Sequence, residues 1–494
     1  MSRKIPIFYN ALLLTGVNLL LRLVSTSFQV FISGRLGAAG VGLLQLVMSV
    51  GGLAMTAGMA GIRTATMYLT AEELGKRRPG NIKWILRGCL LYCLLCSGVL
   101  SAGLYLLSPK IAEYWIGDLQ TVEALRTFAL FLPVVCVSGC LSGYFTAANR
   151  IGTLAAVEIA EQIAYMASTM GALLFWAGDD PGKACQSVVL GSGIGACVTA
   201  FSLWILRFKN AGQPGPRIPV SSRIIHTAVP LALADDLKIG INTVESLMVP
   251  KRLALFDGVA SPLAAFGMVS GMVFPVLMFP AAILFALAEL LIPELARCQA
   301  AGSRNRIRYL TKRSLKLALL YGSLCGGGMF LLSDALCLWL YQRDDAGIML
   351  RLYSMLAPML YCDAITDAMN KGLGQQQTAV RYNILTAALD VVGLYFLLPQ
   401  YGMRGYFISF LISHLVNFLL SFRLLFRTSQ IRIPFHIPAL TLSAVLAAVL
   451  GAGFVTGIFW QLLTYLGILS SLLVLFQVVS LEDARWLRGL VRKK

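Results

Sequence analysis

Long apolar runs follow one another along this chain with only short polar breaks between them. They fall near residues 7–33, 41–70, 84–107, 127–148, 153–177, 185–207, 224–248, 262–293, 312–340, 347–371, 379–398, 404–424, 436–458 and 461–480. About 20 apolar residues carry an α-helix across the hydrocarbon core of a bilayer. The pattern therefore predicts an all-α, polytopic membrane protein with fourteen transmembrane helices and no loop long enough for a separate soluble domain. Composition agrees: 57% of residues are hydrophobic, 13% are charged and the mean hydropathy is +0.75, outside the globular range.

The chain also repeats itself at an offset of 225 residues. Gly103, Leu106, Leu107 and Ser108, ending the third run, match Gly328, Leu331, Leu332 and Ser333, ending the ninth. Leu125, Arg126 and Pro133 match Leu350, Arg351 and Pro358 in the same way. Six runs separate the copies, an even number, so both enter the membrane in the same direction. Parallel repeats of this kind are related by a pseudo-two-fold axis along the membrane normal, and transporters built this way hold the substrate between the halves. The expected lobes are 1–210 and 224–430, each of six helices, joined by a Pro/Gly-bearing cytoplasmic linker at 211–223. Residues 431–494 add two C-terminal helices and a basic tail.

The formal charge of +18 acquires meaning from where it lies. With Arg3 and Lys4 inside, the cytoplasmic tails and loops with their flanks hold 29 of the 41 Lys and Arg. The outer side holds 9, and Arg22, Arg63 and Lys238 lie within runs. This bias places both termini in the cytoplasm and reads the basic clusters as topology determinants beside anionic lipid, with no nucleic acid as partner. The N-terminus starts like a signal peptide, but its apolar run continues past residue 30 without a small-residue cleavage site, and so reads as the first span. Nearly all of the eleven cysteines sit inside runs, where Cys serves as a small hydrophobe. With only His226, His414 and His436 in the chain, neither a metal site nor a His-based catalytic centre is expected.

Besides the three bases, nine acids fall within runs: Glu158, Glu161, Asp235, Asp236, Glu245, Glu289, Asp363, Asp367 and Asp390. One such charge at the bilayer centre costs about 2.5–3.5 kcal/mol even on the milder insertion scale. The set is therefore expected to line an interior or water-filled path, which points to transport. Arg22 and Arg63 are candidates for a diphosphate, because a guanidinium stays charged and donates paired hydrogen bonds. The plainer alternative for each is an ion pair with a carboxylate on a neighbouring helix. Asp235 and Lys238, three apart on one face, are placed to neutralise each other, which leaves Asp236 unpaired. Glu158 with Glu161, and Asp363 with Asp367, share helix faces. Such pairs suit Na⁺ or a proton, and equally suit helix–helix salt bridges. Asp390 is a further cavity charge, whereas Glu245 and Glu289 near run ends read as snorkelling. Lys251 and Arg252 follow Pro250 at an outer end, against the charge bias. They form either a cationic rim for an anionic headgroup or an interfacial anchor. The in-run prolines Pro133, Pro230, Pro275, Pro280 and Pro358 are hinge candidates.

Several stretches carry a resemblance. They are Asn242-Thr-Val-Glu-Ser-Leu-Met-Val-Pro-Lys-Arg-Leu253, Phe266-Gly-Met-Val-Ser-Gly-Met-Val-Phe-Pro275, Pro280 and Leu291-Ile-Pro-Glu294. Gly143-Tyr-Phe, Glu161-Gln162 and Gly372-Leu-Gly374 support them. Span for span, the chain resembles the stage V sporulation protein B and polysaccharide-export flippases of the multidrug/oligosaccharidyl-lipid/polysaccharide (MOP) exporter superfamily. The resemblance implies two six-helix lobes in a V around a central cavity, with two extra helices. It implies translocation of an undecaprenyl-diphosphate-linked saccharide, a cell-wall or polysaccharide precursor of the lipid II kind, by alternating access. It also implies that Arg22, in the first helix, is a functional cavity arginine. At Gly61-Ile-Arg-Thr-Ala65 the chain departs from related sporulation proteins, which tend to carry Pro where Arg63 stands.

The expected partners are the lipid-linked saccharide and membrane lipids, and the expected state is a monomer. No cofactor is expected, and the drive is Na⁺, H⁺ or the membrane potential. A cation-coupled multidrug exporter of the same superfamily is the alternative, favoured by nine intramembrane acids against three bases. A membrane glycosyltransferase or polymerase is disfavoured by the lack of a catalytic loop.

Overall fold

A computed structural model of the chain describes residues 4–75, 79–148, 150–178, 180–208, 221–430, 436–476 and 478, and every regular element among them is helical. The helices begin with α1 (Lys4–Met59), α2 (Ile62–Gly75), α3 (Ile82–Lys110), α4 (Val122–Ala147), α5 (Ile151–Phe175) and α6 (Pro181–Phe208). They continue with α7 (Ser221–Leu253), α8 (Pro262–Met268), α9 (Phe274–Met278), α10 (Ala282–Ala300) and α11 (Arg304–Tyr341). The last are α12 (Asp344–Ser354), α13 (Ala357–Gly372), α14 (Gln376–Tyr401), α15 (Met403–Ser429), α16 (His436–Gly453) and α17 (Ile458–Leu475).

Each apolar run falls on one of these helices or on a broken series of them. Among the described residues, eight helical stretches are long and apolar enough to cross a membrane. They become ten when the bent pairs α8–α9 with α10 (66°) and α12 with α13 (56°) each count as one span. The first two runs are joined in one of the eight, Leu23–Leu74. Outside the set are α5, with Glu158, Glu161 and Gln162; α7, with Asp236, Lys238 and Glu245; and the short apolar α16. The expected total of fourteen thus counts three helices that fall outside this set. Large apolar side chains such as Phe175 (91% exposed) and Phe454 (89%) point outward, as on a surface bathed in lipid.

The chain packs as two compact units, Met1–Gly271 with Ala387–Ser409, and Met272–Thr386 with Phe410–Lys494. These are bodies of packing, whereas the lobe boundaries above follow sequence similarity. In the first unit α1 kinks at Gly37. The run at 41–70, expected as one helix, instead breaks at Ala60 (φ 42°) and Gly61 (φ 70°). The reason is steric: α7 seats in the break, where a Cβ on Gly61 would overlap the Ala228 carbonyl. Ala60 shares the left-handed region at a strain of about 1–3 kcal/mol. Further along α7, Thr243 Oγ1 donates to the Ser49 carbonyl of α1 at 3.1 Å. Ser33 Oγ donates to the Gly271 carbonyl at 3.3 Å, which Pro275 leaves without its regular helical donor.

In the second unit the chain around Met272–Pro280 is irregular, with a π-helical turn at Val269–Val273 leading in and a break before α10. Three tyrosine hydroxyls satisfy its carbonyls: Tyr341 donates to Met272 (3.1 Å), Tyr361 to Leu277 (2.7 Å) and Tyr321 to Pro280 (2.9 Å). At Pro280 the hydroxyl adds to a long backbone bond from Ile283 N, 3.4 Å. α16 meets α17 along Ala444, Ala448 and Ala452, small residues one turn apart, against Tyr465 and Leu469. The Tyr465 hydroxyl ties this pair to α11 through the Ser323 and Leu324 carbonyls, both at 3.1 Å.

Candidate functional site

The break before α2 puts Arg63 on that helix's first turn, exposed, beside the fully buried Ile62. Its charge reaches Glu158 on α5, which in turn lies within electrostatic reach of Glu161. Glu161 accepts a 2.6 Å hydrogen bond from Thr199 Oγ1 on α6. Both carboxylates are half-buried, and the neighbouring Gln162 Nε2 is buried with no hydrogen-bond partner among the described residues. Read from sequence, Arg63 and the Glu158–Glu161 pair are separate features; the fold brings Arg63 within electrostatic reach of Glu158. Arg63 makes no ion-pair contact with a described residue, and the charge partner its field reaches is Glu158. Arg22 lies on α1 with its side chain outside the described residues, as does the side chain of Asp235 on α7. Asp236 is half-buried and within electrostatic reach of Tyr92 on α3, and Lys238 is exposed.

At the other end of α2 stands a polar knot that the sequence does not reveal. Arg223 of α7 donates from Nη2 to Glu72 at 2.8 Å and from Nη1 to Glu73 at 3.0 Å. Asn81 Nδ2 donates to the other oxygen of Glu73 at 2.9 Å. Glu73 is buried, and its hydrogen bond is the foremost cause holding the Arg223 pKa above the usual value. Paired charges 150 residues apart leave no local signal.

Lys251 and Arg252 sit where α7 ends. Lys251 Nζ donates to the Tyr114 carbonyl. Arg252 donates to the Tyr395 carbonyl from Nε (3.1 Å) and Nη2 (2.8 Å), and its guanidinium lies 3.6 Å from the centre of the Tyr395 ring. These contacts fix both side chains without neutralising them, since carbonyls and rings carry no net charge. Both residues line an apolar groove of about 380 Å³ with Leu53, Trp115, Val244 and Leu247.

Two further acid sites differ in how completely they are satisfied. Asp390 of α14 is buried and accepts from Ser409 Oγ of α15 at 2.6 Å. Glu245 of α7, read as snorkelling, lies within electrostatic reach of this second carboxylate. A like-charged pair in a low-dielectric setting is stabilised by a cation or a shared proton. In the second unit, Asp363 Oδ2 accepts from Asn417 Nδ2 at 3.0 Å, while its Oδ1 is buried without a hydrogen-bond partner among the described residues. Asp367 pairs with Lys371 at 2.6 Å, one turn along the same helix. Of the two acids sharing a face of α13, one is taken by a salt bridge and one keeps an open oxygen. Among the described residues, no three His, Cys, Asp or Glu are grouped to hold a metal ion, and none of the eleven cysteines forms a disulfide.

Comparison with known proteins places this geometry in a family context. Residues 15–170 match the MatE family. Over 412 residues the chain is 23% identical to stage V sporulation protein B of Bacillus subtilis (strain 168), covering 80% of this chain and 78% of that protein. Among solved structures, the lipid II flippase MurJ in an inward closed conformation matches with a TM-score of 0.71 and 13% identity, over 97% of this chain and all of that one. An inward-facing multidrug resistance MATE family transporter of the MOP superfamily matches with a TM-score of 0.66 and 13% identity, over 85% of this chain and all of that one. The MATE multidrug transporter DinF-BH matches with a TM-score of 0.60 and 17% identity, over 86% of this chain and 95% of that one. The MatE match covers residues 15–170, and the chain as a whole has the fold of these solved transporters.

Proposed function

We propose that this MOP-superfamily transporter flips an undecaprenyl-diphosphate-linked saccharide across the cytoplasmic membrane by alternating access between two six-helix lobes, 1–210 and 224–430. The observation that carries the reading is the extent of the fold match. The lipid II flippase covers 97% of this chain, while the multidrug transporters stop at 85–86%, a shortfall the size of the segment after residue 430. That segment holds α16 and α17, docked on α11 through Tyr465. A polar headgroup crosses beside the lobes' charges while the chains stay in the bilayer along these extra helices. Arg22 and Arg63 counter the diphosphate, and Lys251 and Arg252, pinned but not neutralised, meet the headgroup at the outer rim.

Glu158, Glu161, Asp235, Asp236, Lys238, Asp363, Asp367 and Asp390 supply the remaining cavity charge. In this scheme Asp390, with Glu245 and Ser409 around it, is the place where Na⁺ or H⁺ couples to movement. The protein acts as a monomer with both termini in the cytoplasm and catalyses no covalent step. The excess of intramembrane acids favours a second reading, a cation-coupled multidrug exporter.

Equilibrium binding separates the two. The purified protein is titrated with a fluorescent undecaprenyl-diphosphate saccharide and, separately, with a cationic rhodamine dye. Saturable saccharide binding weakened at least tenfold in Arg63→Gln, a loss of about 1.4 kcal/mol, supports the flippase. Saturable dye binding alone supports the exporter.

A further inference from the structure

The end of α3 that the charge bias assigns to the cytoplasmic leaflet carries a second groove, of about 420 Å³, against the first turns of α7. Trp84, Arg87, Leu91 and Leu95 recur at three- and four-residue spacing and so share one face of α3. Ile224 and Ile225 form the opposite wall. From Trp84 to Leu95 the helix rises about 16 Å, roughly half of the ~30 Å hydrocarbon core, which is the depth of one leaflet. Leu91 and Leu95 are 61% and 63% exposed, so the groove presents apolar surface to whatever fills it.

At its shallow end the groove holds one cation that no described residue neutralises. Arg87 is exposed and makes no ion pair or hydrogen bond with a described residue. Arg223, next to Ile224, is bound instead to Glu72 and Glu73. Ser221, also lining the groove, has a hydroxyl that bonds to no described residue. Trp84 lies one turn nearer the helix end, where Trp favours the membrane–water interface. An aromatic at headgroup level, then a free guanidinium, then two exposed leucines match the polarity profile of a lipid from headgroup to chain.

We propose that this groove binds an anionic phospholipid of the cytoplasmic leaflet, with the phosphate on Arg87 and Ser221 and one acyl chain along Leu91, Leu95 and Ile225. The net negative headgroup matters because the Arg87 charge has no counter-ion among the described residues. The groove's lining includes neither Arg63 nor the outer-rim pair Lys251 and Arg252, so the proposal does not depend on which substrate the protein moves.

The test is native mass spectrometry of the full-length protein titrated with phosphatidylglycerol or with phosphatidylcholine of identical chains. Wild type binds phosphatidylglycerol more tightly. Arg87→Gln lowers that affinity about fivefold, to the phosphatidylcholine level, while Arg87→Lys stays within about twofold of wild type. Leu95→Trp, which fills the groove and leaves the charge, weakens both lipids. Thermal unfolding of Arg87→Gln matches wild type, since the side chain holds nothing else in place. Equal affinity for the two lipids, or unchanged phosphatidylglycerol binding in Arg87→Gln, overturns the proposal. So does displacement by glycerol 3-phosphate as effective as by intact lipid, which would mark a free-phosphate site.

Discussion

Pro133 and Pro358 occupy matched positions 225 residues apart, yet α4 continues through the first while the chain bends by 56° between α12 and α13 at the second. Much else at the two corners is shared. Ser108 Oγ donates to the Tyr105 carbonyl (2.8 Å) and Ser333 Oγ to the Phe330 carbonyl (3.1 Å). Arg126 lies 5.4 Å from the Tyr105 ring centre, and its counterpart Arg351 lies 5.9 Å from that of Phe330. The difference lies across from each proline. Pro133 cannot donate to the Ala129 carbonyl, and Ser101 Oγ of α3 does so instead at 2.6 Å. The residue matching Ser101 is Gly326, which has no hydroxyl to offer to the Ser354 carbonyl. A Cβ there would already come within 2.8 Å of that oxygen. The helix opens, and Leu356 N bonds to the Tyr353 carbonyl at 3.0 Å. At these two matched prolines, the helix runs on where a neighbouring hydroxyl takes up the orphaned carbonyl and bends where glycine stands in its place.

The strongest way to break the comparison is Gly326→Leu. It forces bulk against Ser354, Ala357 and Pro358 and is expected to cost about 3 kcal/mol, seen as a lower thermal unfolding temperature in detergent. Ser101→Ala strips the hydroxyl from the first corner and leaves the Ala129 carbonyl bare, at about 1–2 kcal/mol. Spin labels flanking Pro133 should then report a bend in α4 that Ser101→Thr does not produce. Unchanged distances in Ser101→Ala would show that the hydroxyl does not hold the helix together.

Arg126→Gln and Arg351→Gln each remove a ring contact and a partly exposed ion pair, to Glu123 and Asp334 respectively. Each should cost less than about 1 kcal/mol, and by similar amounts if the corners are equivalent in energy as in contact.

The smallest effect is acid sensitivity. Asp345, at the start of α12, is held below the usual carboxylate range chiefly by its hydrogen bonds from Arg343. Its folded pKa is depressed, so its contribution is present above pH about 4 and is lost as pH falls through the lowered value. Arg343→Gln should flatten that part of the stability profile, as measured by thermal unfolding between neutral and acid pH.

The apolar runs, the repeat and the burden of intramembrane charge were all legible in sequence, because each is a local or periodic property. The matched pair Arg126 and Arg351 each lie near an aromatic ring, Tyr105 and Phe330, at positions the same offset relates. What escaped depends on which helices touch. The break at Ala60–Gly61 arises because α7 seats there, and nothing in residues 41–70 announces it. In sequence Arg223 is one base among many near run ends; packing sets it between Glu72 and Glu73. Glu245 lies 145 residues from Asp390, and only the fold brings the two within electrostatic reach. Ser101 resembled any small residue of an apolar helix, since its role is set by a proline on another helix.

The most direct test of the proposed function is translocation in liposomes containing the purified protein. A fluorescent undecaprenyl-diphosphate saccharide is placed in both leaflets, and a membrane-impermeant quencher is added outside. The flippase reading predicts that quenching exceeds the outer-leaflet half, that Arg22→Ala inserts normally but abolishes the excess, and that a cationic rhodamine dye stays put. Dye movement without saccharide movement would contradict it.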